Sequence, residues 1–353
     1  MRQLKYREAI DEATRQAMAA DDRVFVFGVG VDDAKGIFGT TRGAFEQFGR
    51  GRVFDTPLSE AALTGVAVGA AISGMRPLLV HARKDFLMLT MDQIVNNAAK
   101  WHYMSGGTLR VPLTVRAIIG RGWGQAAQHS QSLQALFAHV PGLTVVMPAM
   151  PADAKGLLMS ALTADRPVIC LEHRWLYEKI GAVPEEPFTI PFGRAFVARA
   201  GRDVTIVAVS LMVWEALEAA KTLAAEGVEA EVIDLRTIRP LDTGAILGSV
   251  RQTGRLVVAD TSWRSFGVSA EIVACVAEQA LDRLHAPVVR VGLPDVPTPA
   301  SPVLERAFYP GAAELVVAVR RVLASGQDRS DGRGVVGDPL ATSRAQADFT
   351  GPF

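Results

Sequence analysis

The stretch of sequence that decides the fold reads Arg52-Val-Phe-Asp-Thr-Pro-Leu-Ser-Glu-Ala-Ala-Leu-Thr-Gly-Val-Ala-Val-Gly-Ala-Ala71. A short apolar run turns at Asp55-Thr-Pro57 and continues into a segment made almost wholly of alanine, glycine, valine and leucine. Because this segment carries no charge through Ile72 and has apolar residues on all its faces, it is predicted to form a buried helix. Glu60 would then begin a buried helix, where little solvent reaches a carboxylate.

Two interpretations of Glu60 fit this local pattern. In the first, Ser59 or Glu60 satisfies the free N–H groups of the first helical turn and complements the helix dipole. In the second, the carboxylate takes part in chemistry. The stretch by itself favours neither interpretation, and the rest of the chain is needed to decide between them.

Length and composition bound the class of protein. The 353 residues predict two domains, and a hydrophobic content of 49% excludes a disordered chain. Lys and Arg together number 37, as do Asp and Glu, so nothing indicates a nucleic-acid or anionic-membrane partner. Cys170 and Cys275 lie in apolar surroundings and are predicted to be reduced core residues. With no signal region and no uncharged stretch of membrane-span length, the protein is predicted to be cytoplasmic.

Strand and helix patterns alternate along the chain, which predicts an α/β fold with parallel sheets covered on both faces. A Pro/Glu-rich linker at 183–191 divides it into two three-layer domains, 1–190 and 191–324, and a disordered or partner-draped tail follows at 325–353. The predicted strands are 24–27, 76–80, 111–119, 145–147, 168–171, 203–209, 230–234, 255–259 and 288–291. The predicted helices are 4–20, 60–72, 87–100, 132–139, 151–163, 213–226, 242–250, 267–282 and 312–324.

The site is predicted at the carboxyl ends of the strands, where parallel α/β sheets bind ligands. Four loops, 28–43, 55–60, 81–86 and 120–131, each follow a predicted strand. If these strands are neighbours, their loops meet along one edge of the sheet. They then bring together Glu60, His81, Asp85, Phe86 and His129.

Histidine is the natural proton carrier among these residues. His129 lies between Gln128 and Gln131 in a glycine-rich loop, which favours a functional histidine over a core one. His81, at a strand end, fits a structural hydrogen bond as well as a functional one. The chain has no His-x-x-x-His, Cys-x-x-Cys or Gly-x-Ser-x-Gly motif and no Walker-type Gly-Lys-Ser/Thr, so zinc hydrolysis and serine-elbow catalysis have no support.

A series of spaced motifs then identifies a family. Together they resemble the β subunit of the thiamine-diphosphate-dependent first component of 2-oxo acid dehydrogenase complexes, of the pyruvate, branched-chain or acetoin type, within the transketolase-like superfamily. The resemblance spans roughly residues 3–322. The motifs are Phe54-Asp-Thr-Pro-Leu-Ser-Glu60, Met91-Asp-Gln-Ile-Val-Asn96, Tyr103-Met-Ser-Gly-Gly107, Ala127-Gln-His-Ser-Gln-Ser132, Ala138-His-Val-Pro-Gly142, Asp153-Ala-Lys-Gly156, Val232-Ile-Asp-Leu-Arg-Thr-Ile-Arg-Pro-Leu241 and Pro294-Asp-Val-Pro-Thr-Pro299.

The resemblance implies a pyrimidine-binding domain followed by a transketolase C-terminal domain. Glu60 matches the glutamate that hydrogen-bonds the aminopyrimidine ring of the cofactor, a role that a carboxylate poised by desolvation suits. Phe86 matches the aromatic residue that packs against the pyrimidine. His129 matches the histidine near the substrate and the acyl-transfer end. With this match, catalysis displaces capping as the predicted role of Glu60.

The chain departs from the family at two places that line the cofactor. Val29 stands where the family usually has an acidic residue, in Gly28-Val-Gly-Val31. Ala82 belongs to Val80-His-Ala82, which replaces the usual Glu-Phe-Met. Val29 and Ala82 are therefore predicted cofactor-binding positions with altered side chains. His81, Arg83 and Gln128 become candidates for contacts with an unusual substrate.

The diphosphate half of the cofactor site is missing from this sequence. The family holds magnesium with a Gly-Asp-Gly segment and a later Asn, and no Gly-Asp-Gly occurs here. Phosphates without compensating charge bind poorly, so the resemblance implies that an α subunit supplies the magnesium site in an α2β2 tetramer. It further implies a second β subunit, a lipoyl-bearing acyltransferase, and in many members a potassium ion on main-chain carbonyls near 161–166.

The predicted function is oxidative decarboxylation of a 2-oxo acid with acyl transfer to a lipoyl carrier. Two alternatives stay open. The chain could be half of a split transketolase-like ketol or aldehyde transferase, for which the basic residues Arg83, Lys84 and Arg121 would suit a phosphosugar. It could also be a catalytically silent subunit, an interpretation that Val29 leaves room for and that Glu60 and His129 oppose.

Overall fold

The computed structural model describes residues 2–33, 35–120 and 124–328, and in it the first half of the chain builds one large sheet with its helices. Apolar and β-branched runs form the strands, and most of them are buried on both faces. The elements are β1 (Arg2–Lys5), α1 (Tyr6–Ala20), β2 (Val24–Phe27), α2 (Gly36–Gly39), α3 (Arg42–Phe48), β3 (Val53–Phe54), α4 (Glu60–Ile72), β4 (Arg76–His81), α5 (Lys84–Leu87), α6 (Trp101–Met104), β5 (Thr114–Ile119), α7 (Ala126–His129), α8 (Gln134–Ala138), β6 (Thr144–Val146), α9 (Pro151–Thr163), β7 (Val168–His173) and β8 (Ile180–Val183).

The second half repeats the alternation around a smaller sheet. Local signals mark its helices: the Asp242 carboxylate accepts a hydrogen bond from Ala245 N at 3.0 Å where one helix begins, and Gly254 ends it in the left-handed conformation. The elements are β9 (Phe196–Arg199), β10 (Val204–Ala208), α10 (Leu211–Ala225), β11 (Ala230–Asp234), β12 (Thr237–Arg239), α11 (Thr243–Thr253), β13 (Leu256–Trp263), α12 (Val268–Ala280), β14 (Val289–Leu293), α13 (Pro302–Phe308) and α14 (Ala312–Asp328).

Two sheets dominate the molecule. The first has the strand order β12-β6-β7-β5-β4-β2-β3, and its strands run parallel except β12, which pairs antiparallel with β6. The second has the order β14-β13-β10-β11-β9, with only β9 antiparallel. The chain passes from one set of strands to the other between β8 and β9, yet β12 returns to complete the first sheet. The second half therefore contributes an edge strand to the first sheet, and backbone hydrogen bonds between β12 and β6 join the two halves.

Some local predictions were wrong. The first helix begins at Tyr6 rather than at residue 4, because the backbone of β1 pairs with β8 instead of entering the helix. The segment 87–100 is not one regular helix but a 3₁₀ turn at Met88–Thr90 and a π-helix at Asp92–Ala98. The last helix continues to Asp328, past the predicted end at 324. Residues 329–353 lie outside the described residues.

Lys155 on α9 joins three parts of the first domain. Its side chain is fully buried, and its Nζ donates to Glu12 Oε1 at 2.6 Å on α1. It also donates to the carbonyl oxygens of Pro184 and Glu185, each at 2.8 Å, in the segment between the two sheets. All three N–H donors are thereby used. A buried ammonium with a full set of partners stabilises the packing of these elements.

The substitution Lys155→Met is predicted to lower the free energy of unfolding by roughly 3–5 kcal/mol, the usual cost of breaking a buried ion pair. It leaves Glu12 without this cation and removes the Lys155 donor from the carbonyls of Pro184 and Glu185, of which Glu185 keeps a hydrogen bond from Gln16. Urea unfolding at neutral pH measures the change. The matched control is Lys221→Met, an exposed lysine that pairs with Glu218 on the surface and should change stability little. Equal effects of the two variants would contradict this account of Lys155.

Candidate active site

The site lies at one edge of the first sheet, where four neighbouring parallel strands end. In the order β5-β4-β2-β3, their carboxyl ends lead into the loops that begin at 120, 82, 28 and 55. The sequence predicted that these loops would meet, and the strand order places them side by side. Since neighbouring strands lie about 4.8 Å apart, the ends of β5 and β3 are separated by roughly 14 Å.

Glu60 is the first residue of α4, and its surroundings differ from those predicted. The carboxylate is half-buried rather than buried, and no hydrogen bond or ion pair joins it to another described residue. The prediction of a fully buried helix was wrong, because α4 turns a face of small apolar residues outward, with Val66 60% exposed. Ser59 makes no capping hydrogen bond with its side chain. The carboxylate is thus available for a ligand.

Phe86 and His129 are in direct contact. Phe86 lies on α5 after β4, and its side chain is 38% exposed. His129 is the last residue of α7 in the loop after β5, and its ring meets that of Phe86 edge-on, with 5.2 Å between ring centres and an angle of 76°. An edge-on contact at this distance is a favourable aromatic geometry. Glu60 lies on the loop after β3, two strands away from β4 in the sheet, and does not contribute to this contact.

Two polar contacts tie the same two loops together. Asp85 Oδ1 accepts from the side-chain amide of Gln131 at 2.8 Å and from its backbone N–H at 3.2 Å. Arg83 donates through Nη2 to Gln125 Oε1. In the sequence, the two partners Gln125 and Gln131 lie on either side of His129. They hold the loop that carries His129 against the loop that carries Phe86.

The remaining predicted site residues occupy different depths. His81 is buried at the end of β4, and burial lowers its pKa to about 4, so its imidazole is neutral at physiological pH. Its Nε2 has no hydrogen-bond partner in the described chain. Val29 and Ala82 are half-buried and Gln128 is exposed. Arg121 lies outside the described residues.

Lys84 has an environment that sequence reasoning missed. It was grouped with Arg83 and Arg121 as a basic residue of the site, but its side chain is fully buried and its Nζ lies 5.2 Å from the centre of the Phe137 ring. This Nζ has no hydrogen-bond partner within the described ranges. Burial lowers the pKa of Lys84 to about 7, and the Asp85 carboxylate offsets part of that shift. The charged residues on either side of Lys84 gave no local signal of burial.

The buried lysine makes stability depend on pH. In the unfolded chain the amine binds its proton up to about pH 10.4, whereas in the folded chain it releases it near pH 7. Between these values the unfolded state holds more protons, so the free energy of unfolding should rise with pH. Lys84→Met should remove that rise and be the more stable protein at pH 7, by an amount on the order of a few kcal/mol. Urea unfolding at pH 7 and pH 9.5 tests this, and identical pH slopes would contradict it.

The arrangement provides one half of a binding site. It offers an unpaired carboxylate, an exposed aromatic ring and an imidazole on neighbouring loops. Among residues 2–33, 35–120 and 124–328 there is no group of three or more His, Cys, Asp or Glu that could hold a metal ion. One groove of about 770 Å³ is lined by residues between 102 and 192, and another of about 1200 Å³ by residues between 135 and 274. Neither lining includes Glu60, Phe86 or His129. None of the described helices is long and apolar enough to cross a membrane.

Comparison with known families finds two matches that together cover most of the chain. The transketolase pyrimidine-binding domain matches residues 2–179, and the transketolase C-terminal domain matches residues 193–315. The predicted fold class, two α/β domains of the transketolase type with largely parallel sheets, is confirmed. The predicted boundary at 190 falls between the two matched ranges.

Curated proteins with similar sequences carry two kinds of name. The β subunit of acetoin:2,6-dichlorophenolindophenol oxidoreductase from Cupriavidus necator is 46% identical, over 92% of this chain and 99% of the relative. The β subunit of the pyruvate dehydrogenase E1 component from Rickettsia felis is 45% identical, over 91% of this chain and 98% of the relative. A solved split-gene transketolase, described as an inactive beta4 tetramer, has a TM-score of 0.73 at 27% identity, over 92% of this chain and 99% of that one.

Proposed function

We propose a function that starts from one premise: this chain belongs to the family of β subunits of pyruvate dehydrogenase and acetoin oxidoreductase, built from transketolase pyrimidine-binding and C-terminal domains. It acts as the β subunit of a thiamine-diphosphate-dependent 2-oxo acid dehydrogenase. The observation that carries the proposal is the placement of Glu60, Phe86 and His129 on loops along one sheet edge of such a chain.

The described residues fit the aminopyrimidine half of thiamine diphosphate. The Glu60 carboxylate has no partner in the described part of the chain, and the Phe86 ring is partly exposed on the loop after β4, two strands along the same edge. An acid and an aromatic face are the groups that a protonatable aromatic ring requires. Val29 and Ala82, both half-buried, would line the ring with apolar contacts.

Each of these residues has a distinct task in the reaction. When bound, thiamine diphosphate supplies the carbon nucleophile and the electron sink for decarboxylation. Glu60 holds a proton between its carboxylate and the ring nitrogen of the aminopyrimidine. Phe86 fixes the plane of that ring. His129, held by its contact with Phe86, accepts or donates a proton at a ring nitrogen on the substrate side.

The partner subunit has a surface on which to dock. Large apolar side chains are exposed around Glu60: Leu58 precedes α4, Val66 lies on α4, and Leu89 lies on the turn that packs against α4. Tyr103 and Met104 on α6 are 87% and 59% exposed. Clustered exposed apolar residues mark interaction surfaces. We assign this surface to an α subunit that carries the magnesium and diphosphate site, in an α2β2 tetramer.

Two finer parts of the proposal concern ions and the acceptor. A structural potassium ion on the main-chain carbonyls near 161–166 would have to displace Arg76, whose Nη1 donates to Leu162 O at 3.3 Å and Ala164 O at 2.9 Å. The acyl acceptor is the lipoyl group of an acyltransferase partner, reached from the side of His129.

The reaction is tested with the co-expressed α and β subunits, thiamine diphosphate and magnesium. Release of CO₂ from 2-oxo acids, and acylation of an added lipoyl domain, are the expected results. The second candidate, a split transketolase, rests on the likeness to a solved split-gene transketolase that is described as inactive. Ketol transfer between sugar phosphates without CO₂ release would establish that candidate and overturn the dehydrogenase.

A further inference from the structure

Arg83 is a buried cation whose donors are only partly used. It lies between β4 and α5, and its side chain is 8% exposed. One terminal nitrogen, Nη2, donates to Gln125 Oε1. The other, Nη1, is buried and has no hydrogen-bond partner in the described structure. A buried guanidinium nitrogen without an acceptor is costly, so a ligand that supplies one would be bound favourably.

Charges of both signs act on the Arg83 guanidinium. Burial lowers the pKa of the Arg83 guanidinium, and the like charge of Arg174 lowers it further. Asp85 is the carboxylate that opposes them, and its Oδ1 already accepts two hydrogen bonds from Gln131. Tyr177, the other group that faces Arg83, is neutral because burial raises its pKa. Arg174 in turn faces the Glu178 carboxylate, so the unmatched donor is Nη1 of Arg83, and the group that complements this donor is an oxyanion.

Arg83 lies close to the residues on the substrate side of the site. The carbonyl of Arg83 accepts a hydrogen bond from the backbone N–H of Phe86 at 3.3 Å. Its partner Gln125 directly precedes α7, which ends at His129. The Phe86–His129 contact and the Arg83–Gln125 contact therefore bridge the same two loops. A molecule that reaches His129 comes close to Arg83.

We propose that Arg83 binds a second oxyanion on the substrate, a carboxylate or a phosphate at the end away from the 2-oxo acid group. The inference rests on the proposed function and names its substrate class: 2-oxo acids with an anionic side chain. Gln125 is a positioning residue, because it holds one edge of the guanidinium and leaves the other for the oxyanion.

Two matched pairs of substrates test the proposal on the thiamine-diphosphate-loaded complex. The first pair is 2-oxoglutarate and 2-oxopentanoate, which differ by a terminal carboxylate. The second is 3-phosphohydroxypyruvate and hydroxypyruvate, which differ by a phosphate. We expect the anionic member of at least one pair to have the higher kcat/KM, and the preferred pair distinguishes carboxylate from phosphate. Preference for the neutral member in both pairs would overturn the proposal.

The variant Arg83→Gln should lower the ratio of kcat/KM values, anionic over neutral, by roughly 10- to 100-fold, mainly through KM. Arg83→Lys should retain part of the preference, because lysine keeps the positive charge but lacks the paired N–H donors of the guanidinium. Arg320→Gln is the control, since Arg320 is exposed on α14 and pairs with Glu226 far along the chain. An unchanged ratio in Arg83→Gln would overturn the proposal.

Failure of the proposed function would give a different result from failure of the oxyanion site. If no 2-oxo acid releases CO₂, binding of inorganic phosphate and of succinate to the loaded complex is titrated instead, in wild type and in Arg83→Gln. Binding that the variant loses supports the oxyanion site, and equal binding refutes it. If Arg83→Gln dissociates the α and β subunits on size-exclusion chromatography, the oxyanion belongs to the partner subunit and the substrate proposal is wrong.

Discussion

Glu60→Gln is expected to abolish 2-oxo acid turnover, by roughly 10³-fold or more, while the fold and the subunit assembly stay unchanged. The amide of glutamine has nearly the shape of the carboxylate but does not accept the proton that the cofactor ring must exchange. In the chain itself the Glu60 side chain supports no hydrogen bond or ion pair with the described residues, so its replacement costs the fold little. Loss of activity would therefore report on chemistry rather than on stability.

The matched control is Glu218→Gln, the same chemical change at an exposed carboxylate that pairs with Lys221 on α10. This variant should keep wild-type turnover. Assembly is checked by size-exclusion chromatography and fold by circular dichroism. Normal turnover by Glu60→Gln would remove the cofactor-activation role. A loss of the tetramer in that variant would instead make Glu60 an interface residue.

His129→Ala should slow transfer of the acyl group to the lipoyl acceptor by roughly 10²- to 10³-fold, the contribution of a positioned acid–base group. The imidazole lies on α7, held edge-on against Phe86 at 5.2 Å between ring centres. Because Glu60, on the loop after β3, and the Phe86 ring both remain, cofactor binding should survive the change. The two steps are measured separately, as CO₂ release with an artificial electron acceptor and as acylation of a lipoyl domain.

His285→Ala serves as the control, because His285 is an exposed histidine of the second domain. It should leave both rates at the wild-type level. If His129→Ala slows neither rate, His129 is a packing partner of Phe86 and nothing more. If it weakens cofactor binding as strongly as it slows acylation, its role lies in organising the loops.

Much of the fold follows from local sequence pattern. The helix predicted over 151–163 has those bounds in the structure, since Pro151 fits the first helical turn and Ala164 leaves the helical conformation. The strands of the first sheet are short apolar runs bounded by loops, a pattern that parallel sheets impose. Their loops could be placed along one edge because adjacent parallel strands end on the same side.

Other features depend on contacts that no local pattern encodes. The pairing of β1 with β8 and of β12 with β6 joins segments far apart in the chain, so neither was predicted. An all-apolar helix such as α4 needs cover on every face, but composition does not say whether the chain itself or another subunit provides it. The burial of Lys84 against Phe137 could not be predicted from the local sequence either, because its neighbours in the chain are charged.

The central claim is that this chain carries half of a thiamine diphosphate site, and calorimetric titration with thiamine diphosphate and magnesium tests it most directly. The titration is made on the chain alone and on the chain co-expressed with its α subunit. Binding only by the co-expressed pair is the predicted result. Tight binding by the chain alone would contradict the shared site, and no binding in either case would indicate a silent subunit.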